Sequence, residues 1–338
     1  MVKYIIKRLL MLIPVLIGVS IIVFFLLRVC APDPASVVLG QHATDAQMEE
    51  WRDAQGLNDP VVVQYFDFIK GAVQGDFGES YYTKTPVMTE IMARFPATIE
   101  IAVFAIIIAT VLGILIGVIA AVKKNTIIDN ASMLLSLVGV SIPIFWLGIL
   151  FIILFSRNLG WLPASGRIDP MLRPDGGSGF YLIDTLVSGN FAAFKDALWH
   201  IILPGVTLAL YTLAIISRMT RSSMLDALNQ DYIRTARSKG ISEGKVVIKH
   251  GLRNALMPIV TVIGLQFGSL LGGAVLTESV FAWPGIGKYT VECIQKSDFP
   301  VIQAVVLIIA TVFVLMNLIV DIIYAFLDPR IKYGKKEG

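Results

Sequence analysis

Residues 9–27 read LLMLIPVLIGVSIIVFFLL. No charge interrupts this run of about 19 residues, close to the ~20 that a helix needs to cross a bilayer. Lys3, Lys7 and Arg8 stand just before it. A basic start and an apolar core also describe a secretory signal, but such cores span about 7–15 residues and end at a small-residue cleavage site. No such site follows here, and Arg28 and Val29 before Cys30 fit a lipoprotein signal poorly. The stretch reads as an uncleaved first membrane helix.

Working outward, comparable stretches recur at 98–122, 131–156, 199–220, 256–280 and 301–327. With residues 9–29 they make six spans. Pro204 and Gly205 interrupt the fourth, which membrane helices tolerate when neighbours satisfy the freed backbone groups. The whole 338-residue chain agrees: 56% of it is hydrophobic and 16% charged. Soluble domains have roughly 45–50% apolar and about 25% charged residues. Disorder is excluded and a soluble enzyme disfavoured. A net charge of +3 is too small to indicate nucleic acid as a partner.

Orientation follows from the distribution of Lys and Arg. With the N-terminus in the cytoplasm, segments 1–8, 123–130, 218–253 and 328–338 are inside. They hold well over half of the 28 basic residues. The C-terminus is then cytoplasmic too.

Residues 31–97 form an extracytoplasmic segment too long for a turn. Thr44 and Gln47 make a capping box, and Gly56 can end the helix it opens. Asp59-Pro60 opens a second helix with Val62, Phe66, Ile69 and Val73 on one face. Residues 157–198, with Pro163, Pro170, Pro174 and the run Asp175–Gly179, form a loop-rich outer segment facing a partner or a vestibule. Cys30 and Cys293 both fall near outer helix ends, and the preferred reading is two unpaired thiols.

Several chemistries are missing from the sequence. There is no GxxxxGK[ST]; Gly287-Lys288 is followed by Tyr289. There is no HExxH and no GxSxG. His200 has no evident nucleophile for an intramembrane protease and reads as a hydrogen-bonded helix-end residue.

The cytoplasmic loop 221–255 carries the most information. Residues 226–258 read DALNQDYIRTARSKGISEGKVVIKHGLRNALMP. Residues 231–239 can form about two polar helical turns, with Gly240 as the stop. Such a helix could dock on a cytoplasmic protein, or simply lie at the headgroups as a basic inner loop. The segment resembles the EAA loop of ABC-importer membrane subunits, in the variant of the dipeptide, oligopeptide and nickel permeases. Arg234-Thr235-Ala236 occupies the triplet, Gly240 the glycine and Pro258 the proline. The resemblance extends to Gly75-Asp76-Phe77-Gly78 with Ser80, to Arg94–Glu100, to Ser141–Trp146, to Glu278–Gly287, and to Asp321 and Asp328-Pro329-Arg330. Leu162–Gly166 is similar to the first, B-type, permease of dipeptide systems.

Three sets of residues are candidate sites. Asp231, Tyr232, Arg234, Thr235, Ala236, Arg237, Lys239 and Gly240 would couple the chain to an ATPase. Glu278 and Asp321 are ionisable groups at membrane depth, which usually face a cavity or a partner. Each either lines the translocation path or holds a bend or an inter-helix hydrogen bond. Gly264, Gly268, Gly272 and Gly273 are spaced for close helix packing, against a second permease among other possibilities. Arg28 reads as a snorkelling residue. Trp146, Trp161, Trp199 and Trp283 read as interface markers.

The resemblance implies an all-α integral membrane protein with six transmembrane helices, a type I ABC importer permease with a small extracytoplasmic helical subdomain. It implies one of two permease subunits in a bacterial plasma-membrane importer of di- or oligopeptides, with nickel or glutathione as alternative cargo. The partners would be a second permease, two cytoplasmic ATPases that bind ATP and magnesium, and a peptide-binding protein. This chain would hold no cofactor, metal or catalytic residue. An ion-coupled secondary transporter is the rival class; no inverted repeat supports it.

Overall fold

The computed structural model describes residues 2–40 and 42–327; for residues 2–9, Gly273, Asp321 and 323–327 it describes the backbone alone. The C-terminal segment 328–338, with Asp328-Pro329-Arg330, lies outside the described residues. Among the described residues the regular structure is helical, apart from a one-residue β-bridge between Glu79 and Pro86. The helices are α1 (Val2–Cys30), α2 (Pro34–Leu39), α3 (Asp45–Ala54), α4 (Val61–Gln74), α5 (Val87–Val122), α6 (Ile127–Ser141), α7 (Ile144–Phe151) and α8 (Tyr181–Val187). There follow α9 (Phe191–Leu228), α10 (Asp231–Ser238), α11 (Glu243–Lys245), α12 (Arg253–Val280), α13 (Ile286–Gln295) and α14 (Phe299–Leu327).

Five helices are long and apolar enough to cross a membrane, and the bent pair α6–α7 makes six if counted as one span. The span read at 131–156 is this bent pair. The halves Ile127–Ser141 and Ile144–Asn158 meet at 102°. Pro143 is the cause, because a proline pushes the residue before it out of the helical region. Ile142 accordingly sits at φ −81, ψ 128. By contrast, Pro204 leaves α9 continuous.

Two compact units can be described. The first comprises Met1–Thr98 and Pro284–Leu315. Its core gathers Val23, Leu27, Val87 and Ile91 with Ile286, Val301 and Val305. The capping box on α3 is present, with Thr44 and Gln47 bonded reciprocally. Gly56, at φ 66, ends α3: the Gly56 and Leu57 N–H groups donate to Asp53 and Arg52 carbonyls at 3.1 and 2.9 Å. Helix α4 packs on α1 with its Gln64–Tyr65–Phe68 side, where Phe68 stacks on Phe24 and Tyr65 meets it edge-on. On its apolar face Val62, Phe66 and Val73 are exposed, while Ile69 is half-buried.

The second unit comprises Ile99–Trp283 and the chain from Met316. Here α9 is central, packed by α6, α7, α8 and α12. Glycines on α5 set a close approach. A Cβ on Gly117 would lie 2.5 Å from Thr220 Cβ and 2.6 Å from the Ser217 carbonyl oxygen of α9. On α9, Gly205 makes room for the Phe104 ring, 2.3 Å from where its Cβ would be. Small residues at such crossings let membrane helices gain packing energy backbone to backbone.

Candidate functional site

The loop after α9 folds into a short, firmly anchored helix. Asn229 and Gln230 close α9, and the extended Gln230 starts α10. Asp231 in the first turn and Arg237 in the last complement the helix dipole. The stop is a Schellman motif. The Gly240 N–H donates to the Arg237 carbonyl at 2.9 Å and the Ile241 N–H to the Ala236 carbonyl at 3.3 Å. Gly240 takes φ 74, where a side chain is strained.

One face of α10 is fixed to its own chain. Ile233 and Ala236 are buried with Val246, and Leu228 and Ile241 pack around them. The Arg237 guanidinium bonds both Glu243 oxygens, at 3.1 and 2.5 Å, which raises its already high pKa. Asp231 and Arg234 stand out in solvent, with side chains 95% and 78% exposed. Tyr232, Thr235 and Lys239 are exposed beside them. The eight predicted coupling residues thus divide into an inward anchor, a tied arginine, a glycine stop and an exposed polar face.

A short π-helical turn, Val246–Leu252, joins this platform to α12. Nearby, α9 is tied to α6 by Arg221, whose Nε and Nη2 reach Asp129 Oδ1 and Oδ2 at 2.5 and 2.7 Å. Asp129 also accepts from the Asn125 N–H at 2.9 Å and is 1% exposed. Neither Asp129 nor Arg221 belongs to the quoted motifs, and the one available signal was a lone acid in a basic, apolar stretch.

Glu278, on the last turn of α12, is fully buried. Beyond it the chain turns sharply. Ala282 takes φ 49, and the Trp283 N–H donates to the Glu278 carbonyl at 2.8 Å. Trp283 is 0% exposed, so it is a core residue and not an interface marker. The Asp321 side chain lies outside the described residues. Of the glycines, Gly264 has Val320 of α14 so close against it that no side chain would fit there. Gly268 is buried, whereas Gly272 is exposed and has nothing within 4 Å.

Other ties were missed from sequence. Ser80, in the Gly75–Ser80 motif, donates to Asp298 Oδ2 at 2.5 Å, and the Tyr81 N–H donates to Oδ1 at 3.1 Å. At the outer end of α1, the Arg28 guanidinium donates to Gln64 beside the Phe24 ring. His200 is hydrogen-bonded as expected, its Nδ1 2.9 Å from the Asp196 carbonyl, but it lies within α9 and not at a helix end.

The model of the binding-protein-dependent transport system inner membrane component matches residues 113–333. That of the N-terminal part of such membrane components matches residues 1–102. The chain belongs to this family of inner-membrane permease subunits of ABC transporters. It is 47% identical over 333 residues to the dipeptide transport system permease protein DppB of Alkalihalophilus pseudofirmus, covering 98% of this chain and 100% of that one. It is 46% identical over 336 residues to the di/tripeptide transport system permease protein DppB of Pseudomonas aeruginosa, covering 99% and 100%. It is 42% identical over 333 residues to the glutathione transport system permease protein GsiC of Escherichia coli O1:K1 / APEC, covering 98% and 100%.

Proposed function

We propose that this chain is one of two permease subunits of an ATP-driven dipeptide importer. The observation that carries the reading is the form of α10, a polar face presented on an anchor that its own chain provides. Ile233 and Ala236 hold the helix from behind, so the exposed Tyr232 and the Asp231–Arg234 pair face outward toward a partner. That partner is a cytoplasmic ATPase, which binds ATP and magnesium. A second homologous permease completes the pathway and a second ATPase the motor. A peptide-binding protein delivers cargo at the opposite face, where residues 31–97 and 157–198 lie. Both termini are cytoplasmic in this arrangement.

The mechanism is alternating access. Closure of the ATPases moves α10, and the movement passes to α9 through Leu228 and to α12 through Val246. In this scheme Glu278 and Asp321 belong to the region through which cargo passes, and Gly272 offers its open side to the second permease. No bond is made or broken on this chain.

The test is uptake of labelled alanyl-alanine by proteoliposomes holding the whole complex and its binding protein. Uptake that needs ATP and is outcompeted by dipeptides but not by glutathione is the expected result. Competition in favour of glutathione would assign the other cargo. Uptake without ATP, driven by an ion gradient, would overturn the reading.

A further inference from the structure

The unit formed by Met1–Thr98 and Pro284–Leu315 holds an apolar groove of about 310 Å³ where α1, α4 and α14 meet. Its walls include Ile13 and Ile17 of α1, Ile69 and Val73 of α4, and Leu307 and Ile308 of α14. Two polar side chains also reach it, and both are already bonded. Ser20 Oγ donates to the Ile17 carbonyl at 2.8 Å and lies 2.9 Å from the Tyr65 hydroxyl. Thr311 Oγ1 donates to the Leu307 carbonyl at 2.7 Å. The lining carries no charge and asks for no hydrogen bond, so an occupant without polar groups suits it.

The depth of the groove limits what can fill it. The Arg28 guanidinium lies 5.2 Å from the Phe299 ring centre, so the end of α1 and the start of α14 are level. At about 1.5 Å per helical residue, Ser20 and Ile13 lie roughly 12 and 22 Å from that level along α1, and Leu307 and Thr311 roughly 12 and 18 Å along α14. Both helices are long and apolar enough to span a membrane, whose hydrocarbon core is about 30 Å thick. The groove thus opens inside the hydrocarbon, where lipid tails and other helices are the neighbours. Helix α4 favours the tail. Tyr65 on Ser20 and Phe68 on Phe24 hold α4 against α1 at the end of the groove nearer Arg28. A chain that ends within one leaflet fits below α4, whereas a helix crossing both leaflets would meet it. The exposed Val62, Phe66 and Val73 continue the apolar surface along α4.

We propose that an acyl chain of a membrane phospholipid fills this groove and holds α4 against the two spans. The lipid belongs to the leaflet that α1 reaches at its Cys30 end. Selection rests on the chain and not on the headgroup. Asp67 and Lys70 are both exposed on α4, one charge of each sign, so neither an anionic nor a neutral headgroup is preferred.

The test places the whole complex in vesicles containing phosphatidylglycerol with a diazirine midway along one acyl chain. Photolabelling should concentrate in the peptides holding residues 13–20 and 69–73. Ala72→Phe, which fills the groove from its α4 wall, should lower that labelling at least fivefold. So should Val73→Asn, a change at a position 83% exposed that guards against misfolding. Val62→Asn, outside the groove, should leave it unchanged. Phosphatidylethanolamine carrying the same diazirine should label the same peptides to the same extent. Three results would overturn the proposal: labelling spread evenly over the exposed face of α1, as ordinary contact with bulk lipid gives; labelling at the groove that neither groove variant lowers; or capture of a second permease, in place of lipid, by benzoylphenylalanine introduced at Ile17.

Discussion

Glu100 and Arg167 form an ion pair shut away from solvent. Arg167 Nε and Nη2 reach Glu100 Oε2 at 2.9 and 2.6 Å, and the side chains are 6% and 5% exposed. The remaining capacity is used. Glu100 Oε1 accepts from the Leu182 N–H at 2.8 Å, Arg167 donates to the Gly179 carbonyl at 2.7 Å, and its guanidinium lies 3.9 Å from the Tyr181 ring centre. The loop after α7 is thereby pinned to α5. Removing one partner of such a pair costs about 3–5 kcal/mol, because the other charge stays buried and unpaired. Arg167→Ala should lower the thermal midpoint of the purified complex and open residues 168–180 to protease. The double variant Glu100→Gln/Arg167→Met should recover part of the loss. An unchanged midpoint in the single variant would remove the pair's structural role.

The glycines of α5 and α12 should behave in opposite ways. Gly117→Ala drives a methyl group into the Ser217 backbone and Thr220, and overpacking of this kind costs about 1–3 kcal/mol. Gly272→Ala meets nothing within 4 Å among the described residues. Measured on the isolated chain in detergent, the first should unfold at lower temperature and the second should not. If Gly272→Ala instead weakens co-purification of the second permease, that face is the contact between them.

Gly240→Val tests the coupling helix. Valine is strained at φ 74 and would loosen the Schellman stop. Uptake should fall at least tenfold while the complex still purifies intact. Ile233→Asp should do the same by placing a charge in the anchor. Normal coupled uptake and ATP hydrolysis in both variants would rule the helix out as the transmitter.

The two cysteines are free, Cys30 exposed and Cys293 buried. Burial pushes the Cys293 thiol up to about 12, so it stays protonated, and unreactive as a nucleophile, throughout pH 7–9. A membrane-impermeant maleimide added outside should label Cys30 and nothing else, and Cys30→Ser should abolish labelling. A second label is expected after denaturation. Labelling of Cys30 from the inner face would reverse the proposed orientation.

Sequence reading recovered what composition and local chemistry control. The membrane helices followed from apolar length, α3 from its Thr44–Gln47 box, and α10 from a polar run ended by Gly240. It failed where the partner is distant in the chain. Nothing local tells Glu100 that Arg167 is its neighbour, or Ser80 that Asp298 is. The exposed Val62, Phe66 and Val73 of α4 belong with these: an apolar stripe seeks an apolar surrounding, and in a membrane protein lipid or a partner meets that need as well as a core. The 102° break at Pro143 was legible as a proline but not as a bend, since Pro204 in α9 carries the same letter without one.

The π-helical turn Val246–Leu252 gives α12 a loose thread at its base. A wide turn of this kind holds an extra residue that a tighter one would shed. Shedding it advances the helix by a single residue, which turns every side chain beyond it through about 100° and shifts it about 1.5 Å. A straight push on α10 could thus emerge as a twist of α12. Gly264, which carries no side chain where α12 meets Val320 of α14, lies on the helix that would turn.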